Sequence, residues 1–291
     1  MHPIYDTATF MFDPLHRMWE HRRMRRLFGL SFLAAFFLGI ICIQCNRSGL
    51  LPPQLAAIVP TNHFYAVQLA FTLVLVEEII DLVFALPCSV SDSVGKQLEI
   101  LALILLRNSF KELVHFPEPI HFTTLEPVLR VMSYGLGALC LFVILGYYFK
   151  ALQHQPTLKR GLDRYRFVAL KKGISLVLLA IFLISAAYDG WLTVTGGKPY
   201  SFFETFFTAL IFTDILIVLM YQQFVPAFHA VFRNSGYALA TLFMRIALAA
   251  PVYYDTAIGV GAGLFALLLT LAYNRACPVL EESNVCKHGP R

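Results

Sequence analysis

Two charge constellations interrupt the apolar stretches of this chain, and they recur in the same order. The first is Glu77-Glu78-Ile79-Ile80 on one apolar segment, followed by Leu105-Leu106-Arg107 on the next. The second is Thr213-Asp214-Ile215-Leu216, followed by Phe243-Met244-Arg245. A lone charge at the centre of a bilayer costs about 3 kcal/mol on insertion scales, so four of them require partners. In each case the acid sits on the second apolar segment of a set of four and the arginine on the third. The order reads as an internal repeat.

The membrane setting follows from composition. Apolar residues make up 58% of the chain and charged residues 14%, with a mean hydropathy of +0.66. That leaves too little polar surface to cover a soluble fold of 291 residues. Eight segments are apolar enough to be expected as spans: residues 27–44, 64–87, 97–115, 128–149, 173–194, 202–224, 236–250 and 253–273. An ideal span takes about 20 residues. The seventh is short before Pro251, and the repeat argues for counting it.

Lysine and arginine set the orientation. Arg17, Arg22, Arg23, Arg25 and Arg26 precede the first segment, and seven basic residues from Lys150 to Lys172 crowd the link between the fourth and fifth. Lys96, Arg233 and the tail residues Arg275, Lys287 and Arg291 fall on the same side, against Arg47, Lys198 and Arg130 opposite. The bias predicts cytoplasmic termini and a cytoplasmic central link. The net charge of +5 then reflects topology, and nucleic acid is not an expected partner. The first apolar run lacks a small-residue cleavage site and reads as an uncleaved anchor. Cys42 and Cys45 form a CxxC at its outer end, a weak redox signal by itself.

The halves correspond in further detail. Arg25-Arg26-Leu27 enters one and Lys171-Lys172-Gly173 the other, and Gly135-Leu136-Gly137-Ala138 on the fourth helix matches Gly261-Ala262-Gly263-Leu264 on the eighth. An even number of crossings per half makes the copies parallel, related by an axis along the membrane normal, unlike inverted transporter repeats. The expected divisions are a cytoplasmic amphipathic segment 1–26, a first four-helix repeat 27–150, a basic linker 151–172, a second repeat 173–274 and a tail 275–291. Glu78 lies about nine residues from its helix end and Arg107 about ten from its helix start, both ~14–15 Å deep, the middle of a ~30 Å core. Asp214 and Arg245 reach the same depth. Ion pairs Glu78–Arg107 and Asp214–Arg245 are therefore expected. Glu77, Glu78 and Asp81 form an acidic stripe opposite Arg107 and Lys111, so the first half is where a larger network is expected.

This layout resembles the phosphate-starvation-inducible PsiE family of small four-helix bacterial membrane proteins. The likeness runs through Phe212-Thr213-Asp214-Ile215-Leu216 and Ala240-Thr241-Leu242-Phe243-Met244-Arg245, and through Val76-Glu77-Glu78-Ile79-Ile80 and Ile104-Leu105-Leu106-Arg107. The resemblance implies an all-α bundle in a bacterial plasma membrane, here duplicated in tandem. It implies architecture more than mechanism.

Two functional classes are expected from the charges. Buried pairs can fix helix pairing and register in a structural or accessory subunit. Alternatively, intramembrane ionisable groups can relay protons or ions, with Glu77, Asp81 and Lys111 as further members beside the pairs. A voltage sensor needs more regularly spaced cations than these. Haem needs mid-membrane histidines, and His63, His115, His154 and His229 fall at span ends. His115 and His121 near Glu118 have no specific metal spacing. The aromatic, then basic, amino-terminal segment (Tyr5, Phe10, Met11, Phe12, Trp19) suits the lipid surface or a partner membrane protein. With no phosphate loop, no HExxH and no nucleophile with a base, neither an enzyme nor a cofactor is expected.

Overall fold

A computed structural model describes residues 3–52, 59–88, 90–116, 125–152, 162–195, 202–224 and 228–287. Within them the chain is all-helical: α1 (Pro3–Glu20), α2 (Arg22–Arg47), α3 (Phe64–Ala85), α4 (Val90–Lys111), a 3-10 turn (Glu112–His115), α5 (Glu126–Ala151), α6 (Leu162–Thr195), α7 (Phe202–Phe224), α8 (Phe228–Ala249) and α9 (Tyr254–Lys287). Among the described residues, five segments are long and apolar enough to cross a membrane: Arg22–Arg47, Glu126–Ala151, Tyr165–Leu192, Thr205–Gln223 and Tyr254–Ala276. They fit a multi-pass membrane protein. Their outward faces carry the residues that lipid solvates, among them Phe142, Ile184, Trp191, Phe212 and Leu268, each more than half exposed.

The remaining three expected spans are α3, α4 and α8. Each is a 22-residue helix, about 33 Å long at 1.5 Å per residue. Length is sufficient in all three. What lowers their apolar character is polar content: Glu77, Glu78 and Asp81 on α3, Asp92, Lys96, Glu99, Arg107 and Lys111 on α4, and Arg233, Asn234 and Arg245 on α8. Of the three, α4 is the most enclosed, since it packs on α3, α5 and α8.

Local sequence ends the helices as expected. At the α2 terminus Gly49 takes φ +70°, and the Ser48, Gly49 and Leu50 amides donate to the carbonyls of Gln44, Asn46 and Cys45. A left-handed residue there lets the last carbonyls be satisfied, and glycine adopts it without a steric penalty. Pro87 follows the end of α3 and Pro251 the end of α8, where proline cannot continue a helix.

Consecutive helices pack in each half: α2 on α3, α3 on α4, α4 on α5, then α6 on α7, α7 on α8, α8 on α9. Between halves, α4 meets α8, α5 meets α9 and α3 meets α6. One core gathers Ile79, Leu82, Phe182, Phe206 and Leu210; a second gathers Leu98, Leu101, Leu105, Leu141, Tyr148, Tyr237 and Met244. Gly137 on α5 and Gly263 on α9 both lie at the α5–α9 crossing. A methyl group on Gly137 would strike Thr256, and one on Gly263 would sit 2.8 Å from a Leu141 methyl. Gly135 and Gly261, by contrast, face open space.

Several helix boundaries differ from expectation: α4 starts at Val90 instead of 97, and α9 runs to Lys287 instead of 273. The seventh apolar segment starts at Phe228 instead of 236, because Asn234 is buried and Arg233 lies over the Tyr273 ring at 4.8 Å, so polar residues are accommodated inside the bundle. The fifth starts at Leu162, so the residues expected as the basic linker are partly the first turns of α6, packed on α1. Gly196, Gly197, His121, Glu118, His154, Lys159, Arg160, Lys198, His2, His288 and Arg291 lie outside the described residues.

Candidate functional site

Helix α3 carries Glu78 and the antiparallel α4 carries Arg107, joined by a short turn through Pro87. Arg107 Nη2 contacts Glu78 Oε1, and both residues are buried. In the second half α7 carries Asp214 and α8, packed on it, carries Arg245. Arg245 Nε lies 3.9 Å from Asp214 Oδ2, with both side chains almost wholly enclosed. Burial of this degree makes each partner depend on the other, because removing one leaves an uncompensated charge in a low-dielectric setting.

The second pair extends further. Arg245 Nη2 donates to Gln97 Oε1 at 3.1 Å, and Gln97 Nε2 donates to Ser93 Oγ at 3.3 Å. Gln97 and Ser93 are on α4, so one guanidinium ties α7, α8 and α4 together across the two halves. Sequence reasoning missed Gln97. Its one available signal was an amide four residues after Ser93, on a face otherwise built of Val94, Leu101 and Ile104.

The acidic stripe of α3 does not act as one unit. Asp81 turns toward the amino-terminal helices, accepting a hydrogen bond from Trp19 Nε1 at 2.5 Å, with Arg25 Nη2 3.9 Å away. Glu77 is half-buried and within electrostatic reach of Asp81, Arg25 and Arg107; among the described residues no hydrogen bond or ion pair holds it. Lys111 sits beside Arg107 and Glu112 and meets none of the three acids of α3. Of the five first-half charges, the structure brings Glu78 and Arg107 into contact and directs Asp81 elsewhere.

Helix α1 folds back onto the bundle. Lys172 Nζ donates to Asp13 Oδ1 at 2.6 Å and Tyr165 donates to Asp6 Oδ1 at 2.8 Å, fixing α1 to α6. Phe12 is buried against His16 and Phe84. The opposite face leaves Phe10, Met11 and Met18 exposed. Next to this docking, the Lys171 ammonium is buried and donates to the Cys88 carbonyl in the α3–α4 turn.

At the other end of the bundle, Arg130 bridges Glu126 at 2.6 Å and Glu112 at 3.7 Å, and His115 lies 3.7 Å from Glu112. His63 links α2 to α3 through Arg47 and Gln44. Cys42 and Cys45 are free thiols one turn apart on α2. No group of three His, Cys, Asp or Glu side chains among the described residues is placed to hold a metal ion.

No protein-family model matches this chain, and neither does any curated protein or solved structure.

Proposed function

We propose that this chain is a non-enzymatic, eight-span protein of a bacterial plasma membrane, a structural or accessory subunit that binds other membrane proteins. In this reading it consists of two parallel four-helix repeats of PsiE-like pattern, with both termini in the cytoplasm. The observation that carries it is the occurrence of one enclosed acid–arginine contact in each half, at matching places on the second and third helices. Such pairs make helix association specific, because any other partner or register strands a charge in hydrocarbon. Packing of α4 on α8 and of α5 on α9 supports an axis along the membrane normal, since matching helices of the two halves meet each other. Basic residues near α1 and at the start of α6 support the cytoplasmic assignment.

The exposed face of α1 is the surface offered to a partner subunit or to lipid headgroups. Detergent-solubilised membranes from cells making the wild-type chain, or a variant with Phe10, Met11 and Met18 changed to serine, test this. A stoichiometric membrane protein that accompanies only the wild type is the expected outcome. An equal set of companions for both would remove α1 as the partner surface.

A proton relay through Glu77 is a second reading, favoured by one observation: that carboxyl group has no ion-pair partner among the described residues. Diversion of Asp81 to Trp19 and Arg25 shortens any such relay.

A further inference from the structure

A cavity of about 40 Å³ lies between α4, α6, α7 and α8. It runs from the α3–α4 turn, at Leu86 and Val90, up to Asp214. Its wall includes Ser93, Gln97, Lys171, Asp214, Tyr221 and Asn234. A water needs roughly 10–15 Å³ of such volume, so this space holds about three waters or one ion with a companion water.

The chemistry of the wall is one-sided. Asn234 is 2% exposed and Tyr221 3%, yet the Asn234 amide nitrogen and oxygen and the Tyr221 hydroxyl have no hydrogen-bond partner among the described residues. Lys171, also 3% exposed, gives one proton to the Cys88 carbonyl and lies 5.3 Å from the Phe167 ring centre. No carboxylate among the described residues pairs with it. Asp214 is the only carboxylate among the described residues of the wall, and Arg245 already faces it. Two buried cations and one buried anion leave one positive charge in excess. An unpaired buried charge is expensive, and a counter-ion removes that cost.

We infer that this chamber is a binding site for a small monovalent inorganic anion of the halide class. The Lys171 ammonium, the Asn234 amide N–H and the Tyr221 hydroxyl donate to the ion. A single water completes the site and donates to Asn234 Oδ1. The excess positive charge disfavours metal cations at the same place. The site is independent of the accessory-subunit reading, since it needs no partner protein.

The test uses the full chain purified in mild detergent and melted at constant ionic strength in sodium chloride, sodium bromide or sodium gluconate. The expected result is a melting temperature several degrees higher in either halide, saturating with concentration. Asn234→Leu and Lys171→Met should abolish that rise. Crystals of the wild-type protein in bromide, measured at the bromine absorption edge, should show anomalous density beside Asn234. This second readout decides the matter if either variant does not fold. Equal melting in halide and gluconate, a halide effect that survives in both folded variants, or a chamber holding water alone would overturn the assignment.

Discussion

The indole N–H of Trp19 donates to the Asp81 carboxylate at 2.5 Å, joining residues 62 positions apart. This bond brings the amino-terminal helix to the acidic stripe of α3. It also explains why an acid three residues from Glu78 takes no part in the Glu78–Arg107 contact. A hydrogen bond to a charged group contributes about 1.5–3 kcal/mol. Trp19→Phe should therefore loosen α1 without unfolding the bundle. Limited trypsin digestion would show it, as faster cleavage near Arg17 and Arg22 with the remaining fragment intact. Unchanged cleavage would mean that the Lys172–Asp13 pair and Phe12 hold α1 by themselves.

The glycines at the α5–α9 crossing give a prediction with built-in controls. Gly137→Ala and Gly263→Ala insert a methyl group where Thr256 and Leu141 already sit, and overpacking costs about 1–3 kcal/mol. Gly135→Ala and Gly261→Ala point into open space and should be neutral or slightly stabilising, since alanine favours the helix. Thermal melting of the four variants in one detergent separates the classes. Similar losses in all four would argue that helix flexibility matters more than the close approach.

Gln97 should matter beyond its own helix. Gln97→Leu strands Arg245 Nη2 in the interior and removes the α4–α8 hydrogen bond, a loss of about 1–3 kcal/mol. Combined with Arg245→Leu, the Gln97→Leu change should add little further damage. Full additivity in a double-mutant cycle would show that the two side chains are not coupled.

Conduction can be separated from structure in sealed vesicles containing a pH-sensitive dye. Glu77→Gln should leave protein level and proton leak unchanged, and Glu78→Gln should lower protein level without changing leak per molecule. A stable Glu77→Gln protein with altered flux would move the assignment to a proton-conducting module.

Much of this arrangement is legible in the sequence because hydropathy marks helices and depth arithmetic aligns charges on neighbouring ones. Glu78 with Arg107, and Asp214 with Arg245, are close in the chain's topology, so a short turn suffices to infer that they meet. The reading runs out where contacts span the halves. Gln97 reaches Arg245 across 148 residues, and no periodicity signals that. Asp81 shares a face with Glu78 by spacing, but its partner is chosen by how α1 folds back. Lys171 looks like one more basic residue before a span; only the packing of α6 against the Cys88 turn buries it and leaves Lys172 to bind Asp13. The start of α8 was obscured because Arg233 and Asn234 depress hydropathy while lying in the bundle.

The most direct test of the central claim is a stability cycle on the first pair. Arg107→Leu leaves Glu78 enclosed without its cation, a penalty of about 3–5 kcal/mol. Arg107→Leu together with Glu78→Leu removes both charges and should recover much of that loss in a detergent or lipid unfolding titration. A double variant as unstable as the single, or less stable than it, would contradict the pairing on which the architecture depends.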